Sequence, residues 1–545
     1  MVSLQKPPIQ LYSIRNKDED NNNMTVLSYA DSALSVLPPV IAIALAVVTR
    51  RVLISLGLGI IVGTLLLSNF SVVDGGVFLL TSITGLFWDD GAANTWNLYI
   101  LGFLILLGMI TALITVSGSA RAFADWAQQH IRNRRDAKLL TMFLGCVVFI
   151  DDYFNSLVVG SVAKPVTDKY QISRAKLAYL LDSTAAPVCV ISPVSSWGAY
   201  IIALIGGILT AHGFADEGHL GIFLQMVPMN FYAIFALMLL LCVSFMGLDV
   251  GAMRTQEKKA AMGELYDPEK GLPPGANSDL PEADTGKILG LFVPITTLVF
   301  ATFFFMLNSG AAALAAEGLD FSVIGAFEKT DVSSSLFFGA IVGLAVTIIL
   351  VAIQGVEKSL VMTGLLQGGR SMLPAIYILL FAWTIAGIIG QLETGKFMAS
   401  LATGNIPFAL LPAVIFILAG LTAFATGTSW GTFGIMLPIA ADMAMGSNSE
   451  MMLPMLAAVL AGAVFGDHCS PISDTTILSS TGASCHHIDH VVTQLPYALI
   501  VALISLVGYI VLGFTESIYI GMLASCIVFV ASVFALKFKV ARYAQ

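Results

Sequence analysis

The stretch GDHCSPISDTT, residues 466–476, places two carboxylates, an imidazole, several hydroxyls and a proline inside an apolar region. The flanking stretches 452–466 and 491–514 are predominantly apolar. Proline breaks a helix and frees backbone carbonyls, which membrane proteins tolerate only where that backbone is buried or lines a cavity. The stretch therefore predicts a broken helix inside a membrane-spanning protein.

The composition of the whole chain supports this interpretation. The chain has 545 residues, of which 57% are hydrophobic and 11% are charged, whereas soluble proteins carry about 25% charged residues. The polar residues are too few to cover the surface of a soluble enzyme, which excludes that class. Long apolar runs between short polar loops predict an all-α polytopic membrane protein surrounded by lipids. The net charge of −9 leaves no basic surface for nucleic acid.

The alternation of apolar and polar stretches divides the chain into two membrane halves. We expect transmembrane halves at 33–248 and 288–536, separated by a linker at 249–287 that resembles a flexible tether. A polar tail is expected at 1–32 and a basic tail at 537–545. Several apolar segments are too short to cross the bilayer alone, so roughly 10–13 transmembrane segments are predicted.

Basic residues indicate the side of the membrane on which each loop lies. Lys and Arg concentrate in 119–138, in the linker, in a turn at 357–370 and in the C-terminal tail, whereas 69–97 has none. Because cytoplasmic loops carry an excess of Lys and Arg, the linker and the C-terminus are predicted to be cytoplasmic.

The two halves also share an ordered series of motifs. Pro187 and Pro471 are each followed eight residues later by a hydroxyl-rich stretch, SSWGA at 195–199 and SSTGA at 479–483. The first series, within 139–210, begins after a basic loop, and its counterpart, within 407–484, enters from the opposite face. This pattern predicts two inverted-topology repeats with broken or re-entrant helices, as in alternating-access transporters.

Four polar clusters lie inside apolar segments and supply the candidate ion- or substrate-binding residues. They are Asp151, Asp152, Asn155 and Ser156; Asp182, Ser183, Thr184, Ser192, Ser195 and Ser196; Thr428, Ser429, Trp430 and Thr432; and Asp467, His468, Ser470, Ser473, Asp474, Thr475 and Thr476. Hard cations prefer carboxylate, carbonyl and hydroxyl oxygens, so Na⁺ is a candidate at Asp152, Asn155, Asp467 and Thr476. The same residue types also cap helices, line helix-packing faces and staple helices together.

The clusters resemble the motifs of the NhaC-type Na⁺/H⁺ antiporter family, within the ion-transporter superfamily. The likeness covers roughly residues 100–510, and its most specific part is the 466–476 stretch. The resemblance implies a secondary transporter of the bacterial inner membrane with two inverted repeats and no prosthetic group. Some members resemble exchangers of organic acids or amino acids. The resemblance therefore indicates that ion gradients drive transport more clearly than it indicates which solute is carried.

We therefore expect a Na⁺/H⁺ antiporter with Asp152 and Asp467 as exchanging carboxylates, supported by Asp151, Asp182 and Asp474. His468 is a candidate proton shuttle. The main alternative is a Na⁺- or H⁺-coupled carrier of a small organic acid or amino acid, which requires room beside Trp197 and Trp430. Fold analogy makes a homodimer the default oligomeric state.

Two remote alternatives use other residue patterns. An intramembrane serine hydrolase would pair Ser429 with His468, and a passive channel would need no titratable groups. CHHIDH at 485–490 contains Cys and His but fits no zinc spacing, so it predicts a helix start capped by Asp489.

Overall fold

The computed structural model describes residues 11–13, 25–27, 29–49, 51–89, 91–149, 151–193, 195–211, 219–276, 282–394, 397, 406–447 and 449–542. The first half contains α1 (Leu37–Thr49), α2 (Val52–Leu67), α3 (Val72–Gly85), α4 (Thr95–Val116), α5 (Ser119–His130), α6 (Arg134–Val147), α7 (Asp152–Lys169), α8 (Arg174–Cys189), α9 (Ser196–Ala211), α10 (His219–Met226) and α11 (Phe231–Met246). The linker contains α12 (Gly251–Ala261). The second half contains α13 (Leu289–Ala316), α14 (Val323–Glu328), α15 (Val332–Ile353), α16 (Lys358–Ser371), α17 (Leu373–Gln391), α18 (Leu411–Thr426), α19 (Ser429–Ser447), α20 (Met452–Cys469), α21 (Asp474–Gly482), α22 (His487–Thr515) and α23 (Ile518–Arg542).

Two small antiparallel strand pairs accompany the helices. β1 (Leu11–Ser13) pairs with β2 (Thr25–Leu27), with Leu11 opposite Leu27. β3 (Trp88–Asp89) pairs with β4 (Ala92–Ala93) just before α4. The predicted polar tail at 1–32 therefore contains short paired strands in its described part.

Within the described residues, nine helical stretches are long and apolar enough to cross a membrane, or ten when α2 and α3 count as one bent span. The all-α polytopic architecture is thus confirmed. The count of ten meets the lower end of the predicted 10–13 segments, and the count of nine falls one below it. The predicted turn at 357–370 is wrong, because those residues form most of α16.

Most outward-facing side chains of α13, and of α23 before Lys537, are apolar. Phe300 on α13 and Leu523, Ile527 and Phe534 on α23 are all more than 60% exposed. Exposed apolar surface on this scale fits a lipid environment.

The core brings α18 and α20 together along small residues. Gly420 on α18 lies against Gly466 on α20, and a Cβ added at Gly466 would lie 2.0 Å from the Gly420 carbonyl oxygen. One turn earlier, a Cβ added at Gly462 would lie 2.3 Å from the Phe416 oxygen. Glycines let two helix backbones approach this closely, as is common in membrane proteins. The two helices run parallel, since contacts advance in the same direction along both.

Two helix pairs reverse direction near the middle of the structure. Arg134 at the start of α6 donates to the carbonyl of Gln171, just beyond α7, at 2.9 Å, so α6 and α7 form a hairpin that reverses between Val147 and Asp152. The second reversal, between α18 and α19, is at Gly427 and Thr428. Gly427 has φ 69°, a left-handed conformation that glycine adopts without strain.

Two further pairs continue through a break. α8 leads into α9 through residues 190–195, and α20 leads into α21 through residues 470–473. α8 and α21 run antiparallel, because Asp182 contacts Ser479 whereas Arg174 contacts the carbonyl of Ala483. These directions are the ones that inverted repeats require, and the repeat itself stays a prediction.

The described part of the linker is attached to both halves. Ser484, before α22, donates to the Gly275 carbonyl at 2.8 Å, and the Gly275 amide donates to the Ser371 carbonyl at 3.2 Å. Further along, the Ala283 amide donates to the Val116 carbonyl at 2.8 Å. The linker therefore differs from the flexible tether expected from its composition, because backbone hydrogen bonds hold it in place.

Candidate ion-binding site

Three helix N-termini meet where the hairpins and the broken helices come together. Each is capped by a side chain of the polar clusters: Asp151 accepts from the Phe154 amide at 3.0 Å in α7, and Ser473 accepts from the Thr476 amide at 3.4 Å in α21. Thr428 accepts from the Gly431 amide at 3.5 Å in α19. Helix capping, one of the roles that the sequence left open for the polar clusters, is thus observed at all three positions.

Asp152, the first residue of α7, is 2% exposed. The indole N–H of Trp197 donates to its Oδ1 at 2.9 Å. Among the described residues, its Oδ2 is buried and has no hydrogen-bond partner. A buried carboxylate oxygen without a donor is costly when ionised, so it is a natural place for a cation or a proton.

Two more carboxylates lie nearby. Ser429 donates to Oδ2 of Asp467 at 2.9 Å, and Tyr153 donates through its hydroxyl to Asp474. Asp152 lies close enough to Asp467 and Asp474 to repel both electrostatically. Negative charge at this junction is therefore mutually unfavourable unless a positive charge is bound.

A cavity of about 430 Å³ opens beside these groups. One wall comes from the polar clusters and carries Asp151, Asp152, Tyr153, Gly427, Thr428, Trp430, Ile472 and Asp474. The opposite wall comes from α4, α15, α17 and the end of the α3 region, with Leu86, Trp96, Asn97, Ile100, Val332, Leu336, Ala382, Trp383 and Ala386. Leu86, just after α3, and Trp96, in the first turn of α4, lie within the stretch 69–97 that has no Lys or Arg.

Asp182 belongs to a second cluster, which Thr476 connects to the first because its hydroxyl contacts both the Asp182 carboxylate and the Asp467 carbonyl. It is fully buried on α8 and accepts from Gln494 at 2.5 Å, His490 at 3.2 Å and Ser479 at 3.3 Å. Thr476 adds a longer contact at 3.4 Å. Because protein donors surround this carboxylate, its hydrogen bonds hold α8, α21 and α22 together. Asp182 is not among the residues that line the cavity.

His468 faces the second cluster. Its Nε2 lies 3.0 Å from the backbone oxygen of Asp182, and its Nδ1 lies 3.3 Å from the Tyr232 hydroxyl. Ser429 bonds instead to Asp467 and to the Ala463 carbonyl. The Ser–His pairing needed for the hydrolase alternative is therefore not assembled.

Several other predicted residues bond mainly to the backbone. Asn155 donates to the carbonyls of Gly145 and Val148 at 2.6 and 2.7 Å, while its buried Oδ1 has no hydrogen-bond partner in the described chain. The remaining backbone contacts are those of Thr184 to Leu180, Ser195 to Cys189, Thr432 to Thr428, Ser470 to Phe424 and the Thr475 amide to Asp474. The hydroxyls of Ser195 and Ser470 thus bond to backbone carbonyls at the two helix breaks, whereas that of Thr184 bonds within α8.

The other predicted residues occupy varied positions. Ser156 bonds to Ser479 at 2.9 Å across the α7–α21 contact. Ser183 is buried on α8, and Ser192 lies partly buried in the α8–α9 break. Ser196 begins α9, and its side chain lies outside the described part of the chain.

The 485–490 stretch forms the start of α22. Asp489 does not cap this helix, which corrects the sequence prediction; it lies in the first turn and pairs with Lys270 at 2.6 Å. In the described ranges, no group of three or more His, Cys, Asp or Glu residues is placed to hold a metal ion.

Sequence reasoning missed the cavity wall formed by Trp96 and Trp383, because no polar pattern marks them. It also missed His490 and Gln494. The sequence does contain a pattern that indicates these two residues, since polar residues four positions apart on an apolar helix lie on one face and can meet a common partner.

Comparison with known proteins connects this geometry to a family. The profile of the Na⁺/H⁺ antiporter family matches residues 188–514, more than half of the chain. The chain belongs to the Na⁺/H⁺ antiporter family. The match includes α9 to α21 and nearly all of α22, and it leaves out α23.

Individual relatives support the same assignment. An uncharacterized protein of Haemophilus influenzae is 49% identical over 518 residues, which are 94% of this chain and 97% of the relative. The arginine/ornithine antiporter of Halobacterium salinarum is 38% identical over 168 residues, 29% of this chain and 31% of the relative. The malate-2H⁺/Na⁺-lactate antiporter of Bacillus subtilis is 31% identical over 155 residues, 28% of this chain and 32% of the relative. The chain is thus a multi-pass secondary transporter of the antiporter type and not an enzyme.

Proposed function

We propose that the chain exchanges Na⁺ for H⁺ by alternating access, with Asp152, Asp467 and Asp474 as the exchanging carboxylates. The protein would act in the bacterial inner membrane, with the linker and the C-terminus in the cytoplasm. Na⁺ and H⁺ are its transported ions in this proposal.

The observation that carries the proposal is the unpartnered Oδ2 of buried Asp152 beside two further carboxylates. Removing an ionised carboxylate from water costs several kcal/mol unless an opposite charge accompanies it. A proton or a Na⁺ ion removes this cost, and one carboxylate pair cannot hold both at full occupancy. Competition for the same oxygens is sufficient to couple the two flows in opposite directions.

The surrounding side chains would keep the carboxylates in place during exchange. Trp197 fixes one oxygen of Asp152, and Ser429 fixes one oxygen of Asp467, which leaves the other oxygens oriented for an ion. Asn155, with its unpartnered Oδ1, and Thr476 are further candidate oxygen ligands. Their position at the meeting point of two hairpins and two broken helices would allow access from either side in turn.

A second candidate function is transport of a small organic solute in exchange for Na⁺ or H⁺. The observation that favours it is the 430 Å³ cavity, because a single water molecule occupies only about 30 Å³. The names of the two antiporter relatives also include organic cargo.

The experiment uses purified protein in liposomes with an internal pH dye and an imposed pH gradient. We expect Na⁺ to dissipate the gradient, and Asp152→Asn and Asp467→Asn to reduce the rate by roughly tenfold or more, since a charged contact is worth about 1.5–3 kcal/mol. Asp331→Asn is the matched control, because Asp331 caps α15 outside the site and Asn caps equally well. An Asp152→Asn protein with the wild-type Na⁺ response would remove Asp152 from the site.

A further inference from the structure

The cavity beside Asp152 has an unbalanced set of charges. Asp151, Asp152 and Asp474 line it, and its lining residues, all within the described chain, include no Lys, Arg or His. Asp152 belongs to this lining, and its buried Oδ2 has no hydrogen-bond partner among the described residues. An occupant that neutralises these carboxylates must itself be positively charged.

The size of the cavity exceeds what one inorganic ion needs. Its 430 Å³ would hold roughly a dozen water molecules at about 30 Å³ each. Pockets of about 300–1,000 Å³ are typical of small-molecule sites in proteins. The space therefore accommodates a cation with an organic skeleton.

The aromatic lining suits such a skeleton. Trp96 on α4 and Trp430 on α19 contact each other with ring centroids 6.4 Å apart where the two walls meet, and Trp383 adds a third indole to the lining. Indole faces attract ammonium and guanidinium groups, and they also shield methylene chains from water. Na⁺ gains less from such faces because it retains water or oxygen ligands.

The helix ends at the site argue against a carboxylate on the cargo. N-termini of helices are the usual anion sites of broken-helix transporters. Here Asp151, Thr428 and Ser473 already cap α7, α19 and α21, and Oδ1 of Asp474 accepts from the Thr475 amide at 2.8 Å. A carboxylate entering this cavity would meet three carboxylates of the protein and no cationic side chain among the residues that line it.

We propose that this cavity carries a small organic cation without a carboxylate, an alkyl mono- or diamine, which exchanges against Na⁺ or H⁺. The inference rests on the proposed function, because it assigns a further cargo to the same carboxylates. The ammonium group lies against Asp152 and Asp474, and the alkyl chain lies along the surface that Trp96, Trp383 and Trp430 present to the cavity. This class differs from the organic acid or amino acid expected from the sequence.

The test compares putrescine with ornithine, which share one carbon skeleton except for the carboxylate. The wild-type protein in pH-dye liposomes is exposed to each compound and to Na⁺ in turn, with protein-free liposomes as the control for leakage of uncharged amine. We expect putrescine to dissipate the pH gradient with a KM at least tenfold below that of ornithine. Trp96→Leu should raise the ratio of the putrescine KM to the Na⁺ KM about fivefold. A purely structural defect would change both KM values alike and leave their ratio unchanged.

The possible outcomes separate the cargo from the exchanged ion. Equal responses to ornithine and putrescine would overturn the proposal, because the carboxylate would then be accommodated. A response to Na⁺ without one to putrescine would overturn the organic cargo and leave Na⁺/H⁺ exchange standing. A response to putrescine without one to Na⁺ would support the cargo and contradict Na⁺ as the exchanged ion.

Discussion

Two buried carboxylates show how the environment of a single residue decides its role. Asp152 has one indole donor and an oxygen without a hydrogen-bond partner in the described structure, whereas Asp182 accepts from Gln494, His490 and Ser479. Both are aspartates in apolar segments, so the sequence pattern predicts ion binding for both. The difference between them lies in tertiary partners from distant helices, which no local pattern reveals.

This contrast predicts opposite effects of the same substitution. Asp182→Asn should destabilise the protein by about 3 kcal/mol or more, because the new amide faces donors that have lost their buried acceptor. Asp152→Asn should leave stability unchanged or raise it, since it removes a buried charge that lacks a partner, while exchange is lost. Thermal unfolding in detergent and transport per folded molecule check both variants. A large loss of stability in Asp152→Asn alone would contradict the assignment of roles.

At the scale of elements, the helix breaks were predictable because they have local chemical causes. Proline and clustered hydroxyls mark the break before α21, and Gly427 supplies the left-handed residue that ends α18. The charged residues in α5 and α16 lead to the expectation of a loop and a turn, although apolar residues recur at helical spacing in α5. In the structure α5 packs against α4 and α7, and α16 packs against α4.

The close contact of α18 and α20 predicts a strong position dependence for Gly→Ala. Gly462→Ala should destabilise the protein by roughly 1–3 kcal/mol, because the added methyl would lie 2.3 Å from the Phe416 oxygen. Gly387→Ala on α17 is the matched control: nothing lies within 4 Å of its Cβ position, so the higher helix propensity of Ala should be neutral or stabilising. Thermal unfolding of both variants measures the difference, and equal melting temperatures would contradict the packing.

At the scale of the whole molecule, the cavity unites residues far apart in the sequence. Trp96 and Trp430 contribute to one site although the chain between them includes the linker and most of the second half. Sequence reasoning found the carboxylate wall, because polar clusters stand out in apolar segments. It could not find the aromatic wall, because the packing of α4, α15 and α17 determines which apolar residues face the site.

The described part of the linker joins elements from both halves of the molecule. It connects the α21–α22 turn to the end of α16 through Gly275, and Lys270 pairs with Asp489 at 2.6 Å. These contacts cross between the wall that carries the carboxylates and the wall formed by α4 and its neighbours. Opening a path on the linker side therefore requires that some of them separate.

This arrangement predicts that fixing the linker stops exchange without preventing ion binding from the cavity side. In a background without the six native cysteines, Lys270→Cys and Asp489→Cys would be joined by a short bifunctional thiol reagent that replaces the charge pair. We expect Na⁺/H⁺ exchange to cease after cross-linking and to recover on reduction, while Na⁺ still raises the thermal stability of the cross-linked protein, because a ligand stabilises the state that binds it. A monofunctional reagent on the same variant is the control, since it removes the charge pair without joining the helices. Continued exchange after complete cross-linking would mean that the linker moves with α22 as one unit, and the contact that must open would then lie between Gly275 and Ser371.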